Sequence, residues 1–221
     1  RLHEDKKGGR IIAEDIQKLL SEKFDCNYST SGVYTLLDRL NVVWISGRSK
    51  HPKHSEEAVE QFKELFPDEF KKIQDEHPDT VIEVWWQDES RIGQQGSLSR
   101  VWAAKGTRPR VIRQKQFLST YIFGAVCPEK DKGCALVLPE TNTGMMQIHL
   151  DLISKNVEED SLAIILMDRA SWHTTEALIV PKNIWLMPLP PYSPELNPME
   201  QVWQQLRKIK LSNLCFSNYE H

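Results

Sequence analysis

The chain opens on two helical patterns. Residues 10–24 set Ile12, Ile16, Leu19 and Leu20 on one stripe at helical spacing. After the turn DCNYS, Val33, Leu36, Leu37 and Leu40 repeat the stripe, with Ser29, Thr30 and Ser31 as candidate N-caps. Two amphipathic helices joined by a short turn fit a helix-turn-helix, and equally an ordinary helical hairpin. The second helix presents Ser31, Tyr34, Thr35, Asp38 and Arg39 outward. GRSKHPKH then reads as a solvated basic linker containing Arg48, Lys50, His51, Lys53 and His54, with Pro52 blocking helix. Residues 55–76 carry Ala58, Phe62, Leu65 and Phe66 on one face, resumed by Phe70 and Ile73. This predicts a linker helix broken once, at Pro67.

From Asp79 the period changes. TVIEVWWQDES predicts a strand ending at Asp88, with Trp85 and Trp86 on opposite faces. RVWAAKGTRPRVIR predicts two strands around a Lys-Gly turn, and STYIFGAVCP and KGCALVLPE continue as a meander. TGMMQIHLDLISKNVEE predicts a helix with Met145, Ile148, Leu152 and Ile153 on one face. SLAIILMD is uniformly apolar, as in a strand buried on both faces. SWHTTEALIV predicts a short helix, NIWLMPLP a strand, and a last helix starts at Met199. Strands followed by alternating helices and strands predict a mixed α/β sheet flanked by helices. The resulting domains are a helix-turn-helix candidate with its basic linker over residues 1–54, an acidic linker helix over 55–78 and a sheet domain over 79–221.

Composition changes this picture in three ways. With 40% hydrophobic residues in 221, the chain can bury a sizeable core, and no apolar run is long enough to span a membrane. Four scattered cysteines (Cys26, Cys127, Cys134, Cys215) fit free thiols in a reducing compartment; Cys127 and Cys134 also fit a hairpin bridge. The net charge of −3 hides an uneven distribution: residues 1–54 hold 10 Lys and Arg against 7 acids, residues 55–80 hold 3 against 9. A basic first segment suits a polyanionic partner despite the acidic total. The chain begins without Met, and it reads as a piece of a longer protein.

Three acids share a positional logic. Asp88 and Asp168 follow predicted strands, and Glu200 lies in the first turn of the last helix. In open α/β sheets reactive groups collect where strand ends diverge. Each acid also has an ordinary reading, as a turn former, helix cap or dipole partner. The loop before Glu200, PPYSPELNP, is stiff: each proline fixes its own φ and restricts its predecessor. Such stiffening suits a side chain that must be held in place.

QDES around Asp88, MDRASWH ending at His173 and PPYSPELNPMEQVW over 190–203 resemble the DDE-type transposases of the mariner-like superfamily, most closely the bacterial insertion-sequence branch (the IS six-thirty group). Asp168 and Glu200 lie 32 positions apart, near the short end for that superfamily, and Arg169 stands where Asn or Gly is frequent. The stretch from RIIAEDIQKLL to HPKH resembles the winged type of helix-turn-helix that precedes the catalytic domain in such proteins.

The resemblance implies an RNase H-like fold with Asp88, Asp168 and Glu200 as catalytic and metal-holding residues. It implies Mg²⁺ or Mn²⁺ as two ions, with double-stranded DNA (terminal repeats and target) as partner, a dimer on DNA, and a cytoplasmic, nucleoid-associated protein in a bacterium. Three neighbouring carboxylates repel and call for hard dications with oxygen preference. His173 fits a role beside the acids or an exposed helix histidine. Asn197 fits a structural role in the loop, and Trp203 packing of the last helix on the sheet. Glu89 is excluded because strand alternation turns it away from Asp88. Lys105, Arg108, Arg110 and Arg113 fit phosphate tracking or a solvated turn. The readings that compete with transposase are a catalytically idle or domesticated DNA-binding derivative and another RNase H-like nuclease.

Overall fold

The computed structural model describes residues 11–44, 51–112, 116–173 and 175–216. Arg48, Lys50 and Arg113 lie outside the described residues. The chain divides into two compact units, Arg1–Lys53 and His54–His221.

In the first unit, α1 (Ala13–Phe24) and α2 (Thr30–Arg39) follow the predicted stripes. The Ser29 hydroxyl accepts from Gly32 N at 3.1 Å and caps α2. Asp25, in the left-handed region at φ 50°, closes α1. Ala13 and Val33 are the fully buried apolar residues described here, while Leu19 and Leu40 stay exposed. The side chains of Ser31, Tyr34, Thr35 and Arg39 are exposed along α2, as expected.

The second unit opens with α3 (Glu56–Glu76), which runs unbroken through Pro67 and so corrects the predicted break. A proline inside a helix removes one hydrogen bond. Here the aromatic stripe packs on the sheet on both sides of it: Phe62, Phe66 and Phe70 stack at 5.8 and 6.2 Å and join the cluster around Ile164 and Leu166. His54, read as part of a solvated linker, is instead pinned, with Nδ1 2.8 Å from the Tyr192 carbonyl.

The sheet has five strands in the order β3-β2-β1-β4-β5: β1 (Val81–Gly93), β2 (Ser119–Cys127), β3 (Lys132–Leu138), β4 (Ser161–Met167) and β5 (Ile184–Pro188). β1, β2 and β3 pair antiparallel, whereas β1, β4 and β5 run parallel. This is the mixed, helix-flanked sheet that the alternation of elements predicts. β4 is buried along its whole length, as its uninterrupted apolar sequence requires.

Helix α4 (Thr143–Asn156) covers one face. It turns Met146, His149, Leu150 and Ile153 inward, with Met145 partly buried and Ile148 exposed. The predicted stripe was rotated because His149, a polar residue, was passed over as a core position. α3 and α5 (Met199–Leu206) cover the other face.

Three predicted elements, two strands and a helix, are not formed among the described residues. Of the hairpin expected over residues 100–113, residues 100–112 form no strand, and a turn closes at Ala104–Thr107 with Gly106 at φ 83°. Residues after Asp168 form a turn rather than a helix. All four cysteines are free; the β2–β3 register sets Cys134 against Ala125, not Cys127.

Gly124 lets α5 approach the sheet. A Cβ there would stand 2.6 Å from Cη2 of Trp203 and 2.7 Å from Cε of Met199. Gly124→Val is therefore expected to destabilise the fold by about 1–3 kcal/mol through overpacking, measured by urea unfolding. Wild-type stability would contradict this account of the helix–sheet contact.

Candidate active site

The parallel ladder between β1 and β4 runs from Val81↔Ser161 to Trp86↔Leu166. Continued by two residues, that register sets Asp88 level with Asp168. Neighbouring strands lie about 4.8 Å apart, so the two backbones are adjacent. Asp88 does not end its strand as predicted; β1 continues to Gly93. What ends near it is the pairing with β4, because β4 stops at Met167 and the chain turns away. The β1–β4 pairing therefore ends just before Asp88, at the point where the central strands part.

Asp88 is held by α5. Trp203 Nε1 donates to its Oδ2 at 2.9 Å. Burial pushes the Asp88 carboxyl up to about 7; the charges of Glu89 and Glu200 push the same way, and the indole and a backbone N–H oppose them.

Asp168 is exposed, with Oδ1 accepting from Ala170 N at 2.9 Å in a tight turn. The turn-forming reading of Asp168 is thus realised without burying its carboxylate. His173 Nδ1 stands 2.9 Å from the same oxygen, and this partner holds Asp168 below the usual carboxylate range.

Glu200 is exposed in the first turn of α5. The loop before it is fastened at several points. Tyr192 takes a left-handed φ of 58°, and Arg169 Nε donates to the Leu189 carbonyl at 3.0 Å. Asn197 is buried; its Nδ2 donates to the Gln87 carbonyl at 2.9 Å, and its Oδ1 accepts from Met199 N at 3.0 Å. Asn197 thus ties the start of α5 to the backbone next to Asp88, the structural role expected of it. Arg207 Nη2 reaches Ser90 Oγ at 2.7 Å and holds the far end of the helix.

The structure sets Asp88 in β1 and Asp168 just past the end of the adjacent β4, with Glu200 within electrostatic reach of Asp88. It does not close them into one cluster: among the described residues, no three His, Cys, Asp or Glu side chains form a group able to hold a metal ion. The donor chemistry still fits a hard dication, since all three groups offer carboxylate oxygens, and the charge of Glu200 adds a small push to the Asp88 carboxyl that burial mainly raises.

His173 is buried in a turn, not on an exposed helix. Two contributors were missed by sequence reasoning. The Trp203 indole was assigned packing alone, although its N–H needed a partner once buried. Glu89 was set aside for facing away, yet its Oε1 meets His173 Nε2 at 2.9 Å. Gln87 and Glu89 alternating with a buried Trp85 were the available signal, because polar side chains on a core face require partners.

Of the residues proposed for phosphates, Lys53, Lys105, Arg108 and Arg110 are exposed, the last three on the irregular 94–112 segment.

A sequence profile described as DDE superfamily endonuclease matches residues 83–221, and one described as winged helix-turn helix matches residues 8–65. The uncharacterized protein y4pE/y4sA of Sinorhizobium fredii (strain NBRC 101917 / NGR234) is 54% identical over 100 residues, 45% of this chain and 74% of that protein. Among solved structures, the Mos1 strand transfer complex shares the fold at 17% identity, with a TM-score of 0.57 over 96% of this chain and 68% of that one. The Mos1 mariner paired end complex with Mn does so at 16% identity and a TM-score of 0.60, covering 96% and 70%.

The raised Asp88 fixes the sign of a stability effect. A carboxyl whose folded pKa lies near 7, above its unfolded 3.8, favours the fold at low pH and loses that contribution as pH rises through 7. In metal-free protein, Asp88→Asn is therefore expected to raise Tm at pH 8 by a few degrees, given about 2–4 °C per kcal/mol at this size. The gain should vanish at pH 4. Equal melting of variant and wild type at pH 8 would contradict it.

Proposed function

Since the chain belongs to the DDE superfamily endonucleases, we propose that it is a DNA transposase of the mariner-like superfamily, in the bacterial insertion-sequence branch. The observation that supports this reading is the β1–β4 register, which leads to Asp88 in β1 and to Asp168 just past the end of β4, with the Glu200 helix docked on Asp88 through Trp203. The winged helix-turn-helix match and the exposed face of α2 support a DNA-binding role for residues 1–54. Residues 55–78 are the linker and 79–221 the catalytic domain.

In this reading Asp88, Asp168 and Glu200 hold Mg²⁺ or Mn²⁺. When bound, a pair of such ions activates water or a 3′-hydroxyl and steadies the leaving oxygen in an in-line attack on phosphorus. The protein's own contribution is positional. Trp203 fixes one oxygen of Asp88, His173 fixes one oxygen of Asp168, and Asn197 sets where Glu200 emerges. Ser31, Tyr34, Thr35 and Arg39 face the DNA from α2, joined by Arg48, Lys50 and Lys53. Lys105, Arg108 and Arg110 meet phosphates. Joining two transposon ends to a target requires two copies on DNA, so a dimer is part of the proposal.

The test is cleavage of duplex DNA carrying the element's own terminal repeats. The protein is expected to cut with Mg²⁺ or Mn²⁺ and to yield strand-transfer products. Asp168→Asn should lose about a thousandfold or more in rate while still binding the DNA. Binding without metal-dependent cleavage would leave an idle DNA-binding derivative; cleavage without strand transfer would point to another nuclease of this fold.

A further inference from the structure

On the α4 side of the sheet a chain of hydrogen bonds runs from the core to Asp168. Gln87 Nε2 donates to Glu89 Oε1 at 3.0 Å, and the same oxygen lies 2.9 Å from His173 Nε2. The other ring nitrogen, His173 Nδ1, lies 2.9 Å from Asp168 Oδ1 and 3.1 Å from the Asp168 carbonyl. Asp168 is 60% exposed, whereas His173 and Glu89 behind it are 1% and 8% exposed. Each ring nitrogen of His173 thus lies within hydrogen-bond distance of a carboxylate oxygen, one of Glu89 and one of Asp168. Trp172 packs edge-on against the ring at 5.7 Å, which limits its rotation.

A buried carboxylate is costly unless paired. Glu89 sits on β1, one residue from Asp88, and its position is fixed by the sheet. His173 sits in the turn after β4, which has no strand partner of its own. The bridge therefore ties a loop carboxylate to the rigid central strand. We propose that Glu89 is a positioning residue for Asp168: acting through His173, it locks the Asp168 carboxylate in the orientation that receives a divalent cation. Glu89 itself points away from Asp88 and is no ligand. Partners standing behind a metal-holding group typically change metal affinity 10–100-fold when removed. The inference rests on the reading of Asp168 as a metal-holding carboxylate.

The test uses Mn²⁺ alone, without DNA, with affinity read from the loss of the free-ion EPR signal. Asp168→Asn serves as the reference. Glu89→Gln and His173→Ala are each expected to weaken Mn²⁺ binding by roughly 10–100-fold, and the double variant to be no weaker than either single. Glu89→Asp, which keeps the charge but shortens the reach, should recover part of the loss; it also carries the test should the neutral variant not fold. Wild-type Mn²⁺ affinity in the folded Glu89 variants would overturn the proposal, as would additive losses in the double variant. Undiminished binding by Asp168→Asn would overturn the underlying reading of Asp168 instead.

Discussion

The site depends on one register. β1 and β4 pair in parallel with a fixed offset, Val81 against Ser161 and Trp86 against Leu166, and this sets Asp88 level with Asp168 although 80 positions separate them. A slip of one residue would turn the whole of β1 over and exchange its two faces. That slip is opposed from both sides. Trp85 and Gln87 are fully buried on the α4 face, and Val84 and Trp86 pack with Leu166 and the α3 phenylalanines on the other. The register is thus fixed by core packing, and the placement of the acids follows from it.

The last helix adds the third acid by a different route. It is short, and it docks through points that each involve the central strands: Trp203 on Asp88, Asn197 on the Gln87 carbonyl, Arg207 on Ser90, and the indole against Gly124. The prolines before it stiffen the loop, but these contacts aim it. Trp203 joins packing to electrostatics, because the ring that needs the space at Gly124 also donates to the buried Asp88 carboxylate. Burial raises that carboxyl to about 7, with a smaller push from the neighbouring charges of Glu89 and Glu200.

Much of this was legible in the sequence. The apolar run SLAIILM gave away β4, the stripes of α1 and α2 marked their helices, and the proline loop with Asn197 and Glu200 marked the site. Other features were hidden for definite reasons. Pro67 does not break α3, because aromatic packing on either side outweighs one lost hydrogen bond. Residues 100–112 look like strands in composition but form none, and pairing cannot be read from one segment alone. His149 is fully buried, edge-on to Phe123 at 5.7 Å, and burial lowers its pKa to about 4; a neutral histidine in a core face carries no signature in periodicity. Glu89 was dismissed by strand alternation, which was geometrically sound. Alternation says which face a side chain takes, not what a distant turn brings to meet it.

The central claim is that Asp88, Asp168 and Glu200 take up divalent cations between them. Crystals of the protein soaked in Mn²⁺ test it most directly, through an anomalous difference map collected at the manganese edge. The account predicts strong peaks where β1 and β4 part, with oxygens of all three acids around them. Peaks elsewhere, or none there with Glu200 turned out to solvent at saturating Mn²⁺, would contradict it.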